Sequence, residues 1–495
     1  MHRRSIPFHF PQNSSNRVKD NIGKRSLAKM ILIFLFCITY RNTYAQKPTI
    51  ICFGWDYPDV GQISKRIDSM QNTPFDGICF SLQKKSIMEA FDTQVKADSY
   101  FEYDKLRSLK WGKYTDNFII LRGYSKTGGN WFDDTAWFAI ASNMRSLSKS
   151  MFTGKLKGIL FDPEYYYQDT FYNPWTYSKT QYPNSTFEEV QDQVRQRGTQ
   201  FITALQKYAI DFSFLSIWIT SLIVEDKIHG PLEGTRHALL LPFVEGILLG
   251  KKPKVKIIDG NEFGYWYSKP SQFLGSADYL EKNTVELMRS AKAKQLATSI
   301  ETSQPIFYDG ILARHPSFER GFENPDKWKW LEENLKYAIA TSTSNIVWFY
   351  YQQLNWWGDQ VNDTLINILQ NCKQSFIPGT KNMANAPNRL IQPKCDNVNK
   401  GTGYYYLNNP KKPMKTGDAA FTYSWDRKKK LLKLKYTNKI PASVSVFVNN
   451  ALSLSINPSS SEDTIMLKKF TRGRMAILAK YKDNSEAAGL QSYNQ

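Results

Sequence analysis

From residue 49 onward, short apolar, β-branched runs alternate with longer stretches whose apolar positions recur every three to four residues. The short runs have the texture of buried strands, and the longer ones that of helices with one apolar face. Eight such pairs follow one another. The predicted strands are Thr49–Trp55, Asp76–Leu82, Asn117–Arg122, Gly158–Asp162, Phe212–Thr220, Val255–Asp259, Pro305–Asp309 and Asn345–Tyr351. Helices are predicted between and after them, at about 60–70, 134–151, 235–249, 276–290 and 361–373. The fourth opens on Ser185, with Glu188 three residues later, a spacing at which the two side chains satisfy each other's free backbone donors. The seventh has Asn324 as N-cap and Pro325 in its first turn. Repeated strand–helix units build a parallel sheet with helices outside it, and eight of them close a (β/α)8 barrel. The competing architecture is an open doubly wound sheet. The chain has no GxGxxG after the first strand and no GxxxxGK[ST].

Beyond residue 375 the pattern changes. Residues 376–415, rich in Pro, Asn, Gly and Lys, read as a linker or extended wrap after a barrel domain spanning 46–375. Period-2 alternation then appears at Phe421–Trp425, Leu431–Tyr436, Ser443–Val448, Ala451–Ile456 and Arg474–Ala479, so residues 416–495 are expected to form a small β-sandwich. Such a domain can bind carbohydrate or can pack against the barrel and stabilise it.

The amino terminus belongs to neither domain. Residues 1–29 are polar and basic, Met30–Ile38 is apolar, and Thr43 and Ala45 are small residues at signal-peptidase spacing. The apolar run falls short of the roughly 20 residues of a membrane-spanning helix. Residues 1–45 are therefore expected to be a cleaved signal peptide. The protein would then be exported, periplasmic or secreted, with no integral membrane segment after cleavage. Without this segment, which holds eight Lys/Arg and one Asp, the net charge falls from +20 to about +13. The remaining excess is spread along the chain with no basic arm, as on a solvated surface, and no nucleic-acid partner is expected. Cys52 and Cys79 lie in strand-like runs, while Cys372 and Cys395 flank a loop-rich segment and could pair in an oxidising compartment. With 5 His and no CxxC, neither a Cys/His zinc site nor a cofactor is expected.

In a barrel of this kind the chemistry gathers where the strands end. The first strand ends on Trp55-Asp56-Tyr57, the third on Arg122-Gly123-Tyr124, and the fourth on Asp162-Pro163-Glu164 followed by Tyr165, Tyr166 and Tyr167. The sixth ends on Asp259-Gly260-Asn261-Glu262 with Trp266 beyond. The seventh ends on Tyr308-Asp309, and the eighth on Trp348–Tyr351 followed by Gln352, Asn355 and Trp356. Carboxylates, amides and aromatics at one rim suit a sugar. The 14% aromatic content, with 13 Trp and 28 Tyr, points the same way, because flat apolar rings stack on sugar faces. By strand periodicity Leu160, Asp162 and Glu164 share a face, and two carboxylates so close raise each other's proton affinity, as a general acid requires. Asp259, placed in line with Ile257 toward the barrel axis, or Glu262 in the loop beyond, would supply a second carboxyl across the bond. The candidate catalytic residues are thus Asp162, Glu164, Asp259 and Glu262. The candidate substrate-binding residues are Trp55, Asp56, Arg122, Tyr166, Trp266, Asp309, Trp348 and Tyr350.

On Phe161-Asp162-Pro163-Glu164 the chain resembles the glycoside hydrolases of the (β/α)8-barrel superfamily. The Asp-x-Glu is similar to the end of the strand-four signature of the chitinase-like families, although Leu160 stands where those families carry an earlier Asp. The resemblance implies Glu164 as acid, assisted by Asp162. Other barrel glycosidases pair strand-four and strand-six carboxylates, which implies Asp259 or Glu262 as partner. The expected activity is cleavage or transfer of glycosidic bonds in oligo- or polysaccharides. Two further readings stay open. One is a non-catalytic carbohydrate-binding protein on the same scaffold. The other is a metal-dependent lyase or isomerase using Asp162, Glu164, Asp259 and Asp309 as oxygen ligands for magnesium or calcium.

Overall fold

The computed structural model describes residues 47–83, 87–126, 130–166, 173–221, 223, 231–267, 269–311, 327–351, 357, 361, 363–375, 398–406, 419–426, 428–467, 473–483 and 485–493. The expected signal peptide lies outside these residues, as do Asn324, Pro325, Gln352, Asn355, Trp356 and Cys395. The inner sheet comprises β1 (Thr49–Gly54), β2 (Gly77–Phe80), β3 (Phe118–Arg122), β4 (Gly158–Asp162), β5 (Ser213–Ser216), β6 (Lys256–Asp259), β7 (Gln304–Phe307) and β8 (Ile346–Tyr351). Outside it run α1 (Val60–Met70), α2 (Tyr103–Ser108), α3 (Asp134–Gly154), α4 (Phe187–Leu205), α5 (Leu240–Gly250), α6 (Pro270–Leu287), α7 (Ala291–Ala297), α8 (Lys327–Thr341) and α9 (Asp363–Ser375). The capping box of α4 falls one residue later than expected, on Thr186 and Glu189.

All of these strands pair in parallel, in the order β6-β5-β4-β3-β2-β1-β8-β7. A bend in the seventh strand completes the ring. Glu301 and Thr302 pair with β6, whereas β7 itself, two residues further on, pairs with β8. Ser303 joins the two halves: its N–H donates to the Asp259 carbonyl at 2.8 Å and its hydroxyl donates to the Ile346 carbonyl at 2.6 Å.

Residues in one row of a parallel sheet share a face, and two rows matter for the site. Leu121, Phe161, Ser216, Asp259 and Thr302 form one row. Phe161 packs against Phe201 of α4 and Phe243 of α5, so this row faces the helices. Leu160, Leu215 and Ile258, one position earlier, face the axis, and so does the Arg122–Asp162 pair one position later. The expected inward placement of Asp259 is therefore corrected. It lies one residue out of phase, because a single strand's pattern does not contain the register against its neighbour.

The C-terminal region is antiparallel, as expected. β9 (Val398–Tyr406), β10 (Ala419–Asp426), β11 (Leu431–Tyr436), β12 (Ser443–Val448), β13 (Ala451–Ile456), β14 (Glu462–Met466), β15 (Gly473–Lys480) and β16 (Glu486–Tyr493) form one sheet in the order β13-β12-β15-β16-β9-β10-β11-β14. The segment expected to be a linker thus contributes β9, the central joint of this sheet. Residues of its two halves share one core, including Phe421, Trp425 and Leu432 from one side and Val444, Val446 and Ile477 from the other. The sheet is therefore folded face to face as a sandwich. Its outer face carries Phe447, Ala476, Leu478 and Ala488 into the barrel's own core. Two helix ends receive buried charges from it. Arg474 donates to the carbonyls of Ile339 and Ala340 at the end of α8, at 3.1 and 2.6 Å. Glu486 accepts from the Ser271 N–H in the first turn of α6 at 3.2 Å. A cation at a helix C-terminus and an anion at an N-terminus both match the helix dipole.

Candidate active site

Pro163 has no N–H to continue the ladder, so β4 stops at Asp162 and the chain runs on over the mouth of the barrel. The Asp162 carboxyl accepts from the Glu164 N–H at 3.0 Å and lies 3.1 Å from the Tyr166 hydroxyl oxygen. The first of these is a local Asp turn that presents Glu164. The Tyr166 hydroxyl donates to the Glu164 carboxylate, so one phenol lies between the two acids. Gly123 makes the close approach possible: a Cβ there would lie 2.7 Å from the Phe161 ring and 2.9 Å from Pro163 Cα. Arg122, at the end of β3, donates to the Tyr124 hydroxyl at 2.9 Å and sits 5.2 Å from the centre of the Tyr166 ring.

Across β5, the turn after β6 delivers Glu262. Asn261 adopts a left-handed conformation with φ of 48°, which asparagine tolerates well, and the Glu262 N–H donates to the Ile217 carbonyl at 3.0 Å. The Glu262 side chain is hydrogen-bonded to Trp218, just past the end of β5. Asp162, Glu164 and Glu262 border one small pocket with Arg122, Tyr166, Tyr265 and Tyr350. Glu164, Tyr166, Glu262 and Tyr265 also border an open cleft of about 940 Å³, which continues past Trp218, His237, Arg236 and Trp266.

Three carboxyl groups and one guanidinium cannot balance if every acid is ionised. Burial first, and the charge of Glu164 second, push Asp162 up to about 7, against the opposing Glu164 N–H, Arg122 and Tyr166. Glu262 is raised well above the usual carboxylate range by burial and then by Glu164 and Asp162, with the Trp218 hydrogen bond opposing. Asp162 and Glu262 therefore hold their protons more tightly than carboxylates in water do.

The expected substrate-binding residues divide. Trp55, Arg122, Tyr166 and Tyr350 border the small pocket, and Trp266, 50% exposed, borders the cleft. Trp55 meets Tyr166 edge-on at 5.9 Å. Trp348 is instead fully buried two residues below the mouth, with its indole N–H on the Gly260 carbonyl at 2.8 Å, so it supports the floor and stacks on no ligand. Asp56 is exposed but borders neither space, and its carbonyl anchors Trp357 at 2.6 Å. Asp309 is fully buried in the helical turn Tyr308–Ile311 and borders neither. The strand ends at Phe307, so Asp309 falls in the helical turn beyond it instead of at the strand end.

Asp259 is also displaced from the mouth. It is 1% exposed, and its oxygens accept from the N–H and hydroxyl groups of Thr220 and Ser221 and from the Asn261 N–H, all between 2.8 and 3.1 Å. It pins the segment just after Trp218 to the turn that carries Glu262, which makes it a positioning residue. The metal-site reading needed Asp259 and Asp309 beside Asp162 and Glu164, and the fold separates them. Among the described residues no three His, Cys, Asp or Glu side chains are arranged to hold a metal ion.

Trp218, Tyr265, Arg236 and His237 are bordering residues that the sequence pattern does not single out. Trp218 lies within the expected fifth strand, Phe212–Thr220, but β5 ends at Ser216, which turns Trp218 from a strand residue into a rim residue. Tyr265 stacks on Tyr350 at 4.7 Å and 18°, a contact between the turn after β6 and β8 that only the closed barrel brings about.

Neither a family model nor a curated protein matches the chain. Among solved structures it is similar to a GH5-4 broad specificity endoglucanase from Bacteroides salanitronis, at 10% identity and a TM-score of 0.35 over 66% of this chain and 93% of that one. It is also similar to a family 5 xyloglucanase from Paenibacillus pabuli (11%, TM-score 0.34, 67% and 99%) and a Cellulomonas fimi endo-beta-1,4-mannanase (9%, TM-score 0.32, 91% and 95%). Likeness of this depth carries no argument about activity, which has to come from the carboxyl cluster itself.

Proposed function

We propose that the protein is an exported glycoside hydrolase or transglycosylase acting on oligo- or polysaccharides with two carboxyl groups, Glu164 and Glu262. The observation that carries this reading is the cluster of three acids at the mouth of the barrel, bordered by Tyr265, Tyr350, Trp55 and Trp266 and opening into a cleft. Glu262, kept protonated by burial and by its acidic neighbours, donates its proton to the leaving-group oxygen as the glycosidic C–O bond breaks and its electron pair passes to that oxygen. Glu164, which accepts the Tyr166 hydroxyl, meets the positive charge at the anomeric carbon, either by bonding to it or by taking a proton from an attacking water. Asp162 fixes the Glu164 backbone and Tyr166, and Asp259 fixes the Glu262 turn.

The test is hydrolysis of an oligosaccharide panel by residues 46–495 and by Glu164→Gln and Glu262→Gln. Each substitution is expected to lower kcat by about 10²- to 10⁴-fold with the fold intact by circular dichroism. Undiminished cleavage by both variants would contradict the assignment. Glycan binding without turnover by the wild type would favour a binding protein.

A further inference from the structure

Resting on that reading, we propose that the substrate is an anionic glycan, bearing a carboxylate or sulfate, and that Arg236 recognises the charge. A cleft already holding the Glu164 carboxylate repels an anionic sugar unless fixed cations compensate. Arg236 is such a cation. It lies on the cleft wall just before α5, with its side chain exposed, and among the described residues its guanidinium takes part in no hydrogen bond or ion pair. A structural arginine would be partnered, as Arg195 is by Glu245 at 2.7 Å and Arg197 by Asp134 at 2.5 Å. The neighbouring His237 ties this wall to the reacting centre. Its ring lies edge-on to Trp218 with centroids 4.7 Å apart, and Trp218 is hydrogen-bonded to Glu262. The residue next to Arg236 is thus one aromatic ring removed from the proposed proton donor, on the same cleft. Guanidinium forks match carboxylate and sulfate oxygens, which explains an arginine at this place on the wall. Trp266, half exposed on the same cleft, offers a face to the sugar that carries the charge.

The experiment compares a tetragalacturonate, a chondroitin sulfate tetrasaccharide and cellotetraose as ligands of Glu262→Gln by calorimetry, and as substrates of the wild type. Binding of one of the two charged probes at least tenfold tighter than cellotetraose is expected, falling as salt rises and falling about tenfold in Arg236→Gln. Which charged probe binds distinguishes carboxylate from sulfate recognition. Preference for cellotetraose, no binding of either charged probe, or equal weakening of all three by Arg236→Gln would overturn the inference. Charge-selective, Arg236-dependent binding without wild-type cleavage would leave this inference standing and remove the hydrolase reading. Cleavage confined to the neutral probe would do the reverse.

Discussion

At the scale of single residues, Asp162 shows how much the site departs from what its side chains prefer in water. A carboxyl whose folded proton affinity is raised to about 7 is stabilising to the fold only while it stays protonated. The unfolded chain ionises near pH 4, so stability is lost as the pH rises from there through 7 and is constant above. Asp162→Asn should therefore raise the melting temperature at pH 8, by an amount corresponding to on the order of a few kcal/mol, and leave it unchanged at pH 3. A variant no more stable than wild type at pH 8 would mean that Asp162 is not held neutral. The same change should move the alkaline limb of kcat/KM to lower pH, because Asp162 is one of the charges that raises Glu262. Asp162, Glu164 and Glu262 were legible in the sequence as acids at strand ends. The mutual influence of neighbouring acids at the end of β4 was legible too, whereas the Tyr166 hydroxyl between two of them and the burial of the third arise only in the closed barrel.

At the scale of elements, the turn after β6 separates what periodicity can read from what it cannot. The strand and its acidic end are plain in the sequence, yet the choice between Asp259 and Glu262 depends on register against β5 and on the left-handed Asn261. Asp259 accepts from five donors and has none to spare for substrate. Asp259→Ala should cost on the order of 3 kcal/mol of stability, as buried donors lose their shared acceptor. It should also lower kcat through the displaced Glu262 turn, without shifting the acidic limb of the pH profile. Denaturation midpoints together with that profile check both. An acid that took part in the reaction would instead remove a limb while sparing the midpoint. Strand ends were the least legible feature: β5 stops four residues before the apolar run does, and that shortening brings Trp218 to the rim.

At the scale of the molecule, both domains were visible as a change from helical to alternating pattern, and packing of the second on the first was one of two readings, but the contacts that join them were not visible. β9 lies within the segment that composition marks as a linker, and β15 is buried on both sides, inward by its own sandwich and outward by the barrel. Arg474 and Glu486 then engage two helix ends of the barrel. The sandwich is accordingly a structural part of the barrel. A single calorimetric unfolding transition is expected, and Arg474→Met should lower its midpoint by an amount corresponding to about 1–3 kcal/mol. Two separate transitions would contradict this. No described helix is long and apolar enough to cross a membrane.

The most direct measurement of the central claim is a double-mutant comparison of kcat/KM for Glu164→Gln, Glu262→Gln and the two together on one cleaved oligosaccharide. Groups that serve one transition state as a unit lose nearly everything with the first substitution. The double variant is expected to be within about tenfold of the weaker single variant. Losses that multiply, or a Glu262→Gln variant as active as the wild type, would contradict it.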